Sequence, residues 1–148
     1  YRKRGPWPVR KIEFEDISTI EDSLFTFAVI LSRYKGQWIY CKHRDRNTWE
    51  IPGGRREPGE KIIDTAKREL YEESGAVDFT ITPVCAYSVV DDIKSYGILC
   101  FAEVDTLGPL PPMEIELIRL FDDEPEALTY PLVQPSLRNK VMAWLKEN

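Results

Sequence analysis

Residues 54–76 read Gly-Arg-Arg-Glu-Pro-Gly-Glu-Lys-Ile-Ile-Asp-Thr-Ala-Lys-Arg-Glu-Leu-Tyr-Glu-Glu-Ser-Gly-Ala, a loop that turns into a helix. Pro58-Gly59 breaks the chain. From Glu60 to Ser74 the apolar positions Ile63, Ala66 and Leu70 fall three and four apart, and Gly75 stands where a left-handed cap ends a helix. At about 100° per residue, Glu69, Glu72 and Glu73 lie within about 100° of one another, beside the apolar stripe and off the far solvent face. They also occupy the last turn and a half, where the helix dipole disfavours anions. Like charges at these spacings cost about 0.2–0.5 kcal/mol a pair, so something should neutralise them. A hard divalent cation with oxygen ligands is the simplest candidate. Taken alone, Glu-x-x-Glu-Glu reads as readily as a solvated acidic patch.

Outward from this segment, Lys11 to Ile17 alternates like a short strand. Phe25–Arg33 and Gln37–His43 are β-rich and joined by Tyr34-Lys35-Gly36, a hairpin signal. Arg44 to Thr48 is polar loop, and Pro52-Gly53-Gly54 reads as a chain break. Phe79–Val90, Tyr96–Val104 and Ile115–Phe121 are further strands, with Gly108-Pro109-Leu110-Pro111-Pro112 a stiff loop before the last. Leu137, Val141, Trp144 and Leu145 mark a C-terminal helix. The pattern gives an α/β fold, a mixed sheet sandwiched between helices, in one domain over 1–148.

The 148 residues are 43% apolar and 30% charged, and no apolar run approaches the roughly 18–20 residues of a membrane span. No signal peptide is visible in a sequence that starts at Tyr1, so a cytoplasmic location is expected. Cys41, Cys85 and Cys100 are widely spaced in apolar contexts and read as buried thiols. A zinc site would need closer pairs with histidine, and His43 is the only one. Five of the 20 basic residues (Arg2, Lys3, Arg4, Arg10 and Lys11) crowd positions 1–11, leaving 15 against 25 acids in the rest, a net of -10. Such an acidic body argues against duplex nucleic acid as a partner. The basic start reads as a solvated segment, or as one that steers a polyphosphate to the site.

Gly54 to Glu60, seven residues, then Arg68-Glu69-Leu70-Tyr71-Glu72-Glu73-Ser74-Gly75-Ala76 resembles the Nudix box at every defining position. Trp49-Glu50-Ile51-Pro52-Gly53 is similar to the family's usual lead-in. The resemblance implies the family's α/β/α sandwich and hydrolysis of nucleoside diphosphates linked to a group X. It implies magnesium, with manganese as a substitute, held by Glu69, Glu72, Glu73 and the Gly53 carbonyl. Glu60 would support that metal shell through water, and Arg68 would orient the glutamates. The base that takes the proton of water is, in this family, a box glutamate or one on a later loop; here the loop offers Glu114 and Glu116, with Asp91 and Asp92 weaker. Many relatives dimerise, so a homodimer stays open.

The group X is read outside the box. Asp91 stands where relatives acting on ADP-ribose carry proline, and Tyr96 falls late for the tyrosine of dinucleoside polyphosphate hydrolases. The chain is then most similar to the MutT-like branch, which converts nucleoside triphosphates, oxidised guanine nucleotides among them, to monophosphate and pyrophosphate. Gln134, in Tyr130-Pro131-Leu132-Val133-Gln134-Pro135, is placed like an amide that reads a purine edge. Arg55 is a candidate for substrate contact, and Arg44 for the phosphates or the base. ADP-ribose, a sugar nucleotide or a capped RNA end is the alternative substrate. A non-catalytic nucleotide-binding domain would be expected to show an eroded box, and this one is intact.

Overall fold

A computed structural model describes residues 11–90 and 93–148. The basic residues of positions 1–10, together with Asp91 and Asp92, lie outside the described residues. Seven strands form a mixed sheet: β1 (Lys11–Glu15), β2 (Phe25–Tyr34), β3 (Gln37–His43), β4 (Gly53–Arg55), β5 (Ala76–Val90), β6 (Lys94–Leu107) and β7 (Ile115–Phe121). Helix α1 (Ile62–Ser74) follows β4, and α2 (Gln134–Glu147) closes the chain. The order across the sheet is β1-β5-β6-β2-β3-β7, with β4 paired to β2. Only β2 and β6 run parallel; the other neighbours are antiparallel.

β2 is central, and residues 28–31 are wholly buried on both faces, as expected of a strand covered by helices on each side. Phe27, Val29 and Leu31 point into one apolar cluster with Leu137 and Val141 of α2. Ala28 and Ile30 point into the other, with Ile62, Ala66 and Leu70 of α1. The expected sandwich of a mixed sheet between helices is therefore present. Cys41, Cys85 and Cys100 are all buried thiols outside any disulfide, as their contexts suggested. No helix among the described residues is long and apolar enough to cross a membrane.

Several boundaries differ from expectation, each for a local reason. The first strand stops at Glu15, because Asp16 accepts the Ser18 N–H at 2.9 Å and starts a 3-10 turn over Ile17–Thr19. β5 begins at Ala76, immediately after the Gly75 cap, because a long antiparallel pairing with β6 continues out to Leu107. In α1 Ile62 joins Ala66 and Leu70 in the buried stripe, with Ile63 only partly buried at the edge of the cluster.

The Pro52-Gly53-Gly54 stretch is the informative departure. β2 and β3 are joined by the two-residue turn Lys35-Gly36, whose φ values are both positive, the geometry of a tight hairpin. The strands pair only near that turn, at Arg33–Trp38 and Tyr34–Gln37, and then splay apart. The segment 49–55 fills the fork: Glu50 bridges to Cys41 of β3, while Gly53–Arg55 pair with Phe27, Ala28 and Val29 of β2. The glycines thus form a strand rather than a break, and the fork delivers the chain directly beneath α1.

Candidate active site

The loop between β4 and α1 is built around Glu60. Its carboxylate accepts from the Thr65 hydroxyl (2.6 Å), the Glu57 N–H (3.1 Å) and the Arg68 guanidinium (2.7 and 3.0 Å). These contacts, together with the positive φ of Gly59, delay the helix to Ile62. They also hold the Glu60 carboxyl down to about 2, chiefly through the Arg68 hydrogen bonds. Arg56 completes the loop: its guanidinium donates to the Glu60 carbonyl (2.6 Å) and to Asp22 (2.6 Å). The sequence reading passed over Arg56; its place next to the Pro58-Gly59 turn was the available signal.

Arg68 then reaches across the helix. Its Nη1 donates to Glu69 at 3.0 Å and Glu72 at 3.5 Å, and its Nη2 to the Arg55 carbonyl at 2.9 Å. The Glu60 hydrogen bonds, with the charges of Glu69, Glu60 and Glu72, push the Arg68 pKa further up. Glu73 turns the other way and accepts the Gly53 N–H at 2.9 Å. Glu69 and Glu73 are only 9% and 5% exposed, so the apolar stripe and the acidic cluster share one face of α1. Gly54 leaves room for the Glu69 carboxylate, which a Cβ there would displace.

These groups wall a cavity of about 430 Å³. Gly53 to Pro58 form one side, Arg68, Glu69, Glu72 and Glu73 another, and Met113, Glu114 and Ile115 a third. Gly108-Pro109-Leu110-Pro111-Pro112 carries the chain to that third side; it is anchored where the Gly108 N–H meets the Gly75 carbonyl at 2.8 Å. Met113 was not anticipated, since a lone methionine after a proline-rich loop gives no signal of its own.

The fold brings the box glutamates, Gly53, Arg55, Arg68 and Glu114 to this cavity and excludes four other expected residues. Gln134 is wholly buried on the α2 side: it accepts the Tyr130 N–H at 2.8 Å and donates to the Trp49 carbonyl at 3.2 Å, so it offers no edge to a purine. Glu116 pairs with Lys42, which lowers its pKa, and it is absent from the cavity wall. Strand alternation explains this, because burying Ile115 turns its neighbour Glu116 to the other side. Glu60 is absent from the wall too, its oxygens bonded to loop and helix donors, and it anchors Arg68. Arg44 is off the wall as well; its Nε donates to the Met113 carbonyl at 2.9 Å.

The wall offers carboxylate and carbonyl oxygens with no imidazole or thiol, a donor set that suits a hard divalent cation. Among the described residues no three acidic, histidine or cysteine groups converge on one ion-sized point as they stand. Arg68 draws Glu69 and Glu72, and the Gly53 N–H draws Glu73, so ligation would compete with those hydrogen bonds.

The NUDIX domain description matches residues 23–142, which is most of the chain. The chain belongs to the Nudix family. Nudix hydrolases cleave pyrophosphate bonds of small nucleotide substrates and generally use divalent metal ions. Among the similar curated proteins, the nucleoside triphosphatase NudI of Escherichia coli is 32% identical over 75 residues, 47% of this chain and 52% of NudI. The mouse 8-oxo-dGDP phosphatase NUDT18 is 44% identical over 70 residues, 47% of this chain and 21% of that protein. The matches therefore span about half or less of the length of these relatives. Among solved structures, a mutant of the Bacillus subtilis pyrophosphohydrolase BsRppH superposes with a TM-score of 0.79 at 24% identity. That match covers 92% of this chain and 90% of the other, and establishes the shared Nudix fold.

Proposed function

We propose that this Nudix hydrolase is a magnesium-dependent nucleoside triphosphate pyrophosphohydrolase, releasing a nucleoside monophosphate and pyrophosphate. The observation that carries the reading is the cavity in which three helix carboxylates and an arginine face a loop with two further arginines, Arg55 and Arg56. A triphosphate needs both parts: carboxylates to hold its metal and cations to meet its oxygens. Similarity to a nucleoside triphosphatase and to an 8-oxo-dGDP phosphatase supports the substrate class and makes oxidised guanine nucleotides the first to try.

Glu69, Glu72 and Glu73, with the Gly53 carbonyl, would hold the metal. When bound, a divalent ion polarises phosphoryl oxygens and makes water more acidic. Arg68 orients Glu69 and Glu72, and Glu60 fixes Arg68 in turn. Water attacks phosphorus, the phosphoanhydride P–O bond breaks, and the proton of water passes to a wall carboxylate, Glu69 or Glu114. Replacing the acceptor with glutamine should flatten the acid limb of the pH–rate profile, and replacing the other should leave that limb in place.

The deciding experiment is a magnesium-containing panel of canonical and 8-oxo nucleoside triphosphates, ADP-ribose, a sugar nucleotide and capped RNA, scored for pyrophosphate and monophosphate. Pyrophosphate from triphosphates is expected. Turnover of ADP-ribose with no pyrophosphate from any triphosphate would overturn the substrate assignment and leave family membership standing.

A further inference from the structure

We infer that Met113 is the specificity-determining contact for the nucleobase, and that Arg44 is a positioning residue that fixes it at the rim of the cavity; the inference rests on the nucleotide reading above. The phosphate end of a substrate is drawn to the carboxylates and arginines, so its organic end must meet whatever apolar wall remains. That wall is short: Pro58, Met113 and Ile115. Ile115 is only 1% exposed, whereas Met113 is 50% exposed. A lone exposed apolar side chain on a loose loop means little. Here the main chain beneath it is pinned. Its carbonyl accepts from Arg44 Nε at 2.9 Å, its N–H donates to the Pro111 carbonyl at 2.9 Å, and the next carbonyl, of Glu114, accepts the Arg44 N–H at 3.0 Å. Pro111 and Pro112 restrict the approach, and Ile115 is buried in register with His43 of β3.

The result is a fixed backbone carrying an unbranched, polarizable thioether into an open cavity. Such a side chain makes favourable contact with an aromatic ring, and its flexibility lets it follow bases of different shape. Arg44 acts through main-chain carbonyls on both Met113 and Glu114, so it registers the base contact against a candidate proton acceptor without touching the cavity.

The test is steady-state kinetics on the full chain with magnesium and the best triphosphate of the panel, using inorganic tripolyphosphate as a competitive inhibitor that lacks a base. Met113→Ala should raise KM by about 2- to 10-fold with kcat nearly unchanged and the tripolyphosphate inhibition constant unchanged. Met113→Leu should restore most of the loss. Arg44→Ala should raise KM in the same direction, with recovery by Arg44→Lys, which can still donate to a carbonyl. Leu132→Ala, exposed elsewhere at 69%, is the control for generic loss of apolar surface. An unchanged KM in Met113→Ala, or an equal weakening of tripolyphosphate, overturns the inference while leaving the reaction intact. A parent enzyme that hydrolyses no triphosphate fails the reaction first. The rim is then judged by calorimetry with nucleoside monophosphates, where Met113→Ala must weaken binding, and no binding at all overturns both.

Discussion

Arg68 touches Glu60, Glu69, Glu72 and the Arg55 carbonyl at once. Its charge helps an acidic cluster sit beside a buried apolar stripe. Arg68→Ala would leave Glu60 and the nearly buried Glu69 without that partner, at a cost of about 2–4 kcal/mol in urea unfolding at neutral pH. The same contact makes the stability acid-sensitive. The Glu60 carboxyl is depressed from 4.5 to about 2 in the folded chain. Its contribution is therefore complete above the unfolded value and is lost as pH falls from about 4.5 towards 2. Urea midpoints measured across that window should fall with acid in the parent and show a shallower fall in Arg68→Ala; parallel slopes would assign the acid sensitivity to other carboxylates. Glu72 behaves differently, being at the cavity and held, among the described residues, by the 3.5 Å contact to Arg68. Glu72→Gln should cut turnover by at least about a hundredfold while moving stability by no more than about 0.5 kcal/mol. Near-parental turnover would remove Glu72 from the metal set.

Among the elements, the glycines on either side of α1 divide into one that leaves room for a carboxylate, Gly54, and two that set the backbone, Gly59 and Gly75. A Cβ at Gly54 meets the tip of a movable side chain, Glu69, so Gly54→Ala should swing that carboxylate aside. Activity is expected to collapse with little loss of stability. At Gly59 φ is +78 and nothing lies within 4 Å, so Gly59→Ala should cost about 1 kcal/mol of backbone strain and keep the chemistry. Gly75 combines φ +79 with the Gly108 carbonyl 2.7 Å from a built Cβ, and Gly75→Ala should be the most destabilising of the three. Melting temperatures and turnover measured together on the three variants check this ordering; an active Gly54→Ala would contradict the close packing on Glu69.

Across the whole molecule, the sheet separates the catalytic face from a second apolar cluster that locks α2 in place. Gln134 belongs to that support, and its amide is satisfied by main-chain partners. Because the proposed metal site needs the folded α1 and loop together, magnesium should bind the native state alone. The melting midpoint is then expected to rise with magnesium concentration, and that rise should vanish in Glu72→Gln. An equal rise in both proteins would place the ion elsewhere.

The helix, its glycine cap and the clustering of its glutamates were legible in residues 54–76, because helical periodicity and capping are local physics and the box fixes its own spacing. The hairpin at Lys35-Gly36 and the strand Ile115–Phe121 were legible for the same reason. Only the tertiary structure decided which distant groups complete the site. The β2–β3 fork turned an apparent glycine break into β4, since whether glycines pair depends on strands elsewhere in the chain. Glu116, next to buried Ile115 inside β7, turns to Lys42, whereas Glu114 and Met113 precede the strand and line the cavity. Gln134 carries the polar chemistry of a base reader, but its surroundings bury it and occupy its amide with main-chain partners. Residue type sets what a side chain can do, and packing sets what it is free to meet.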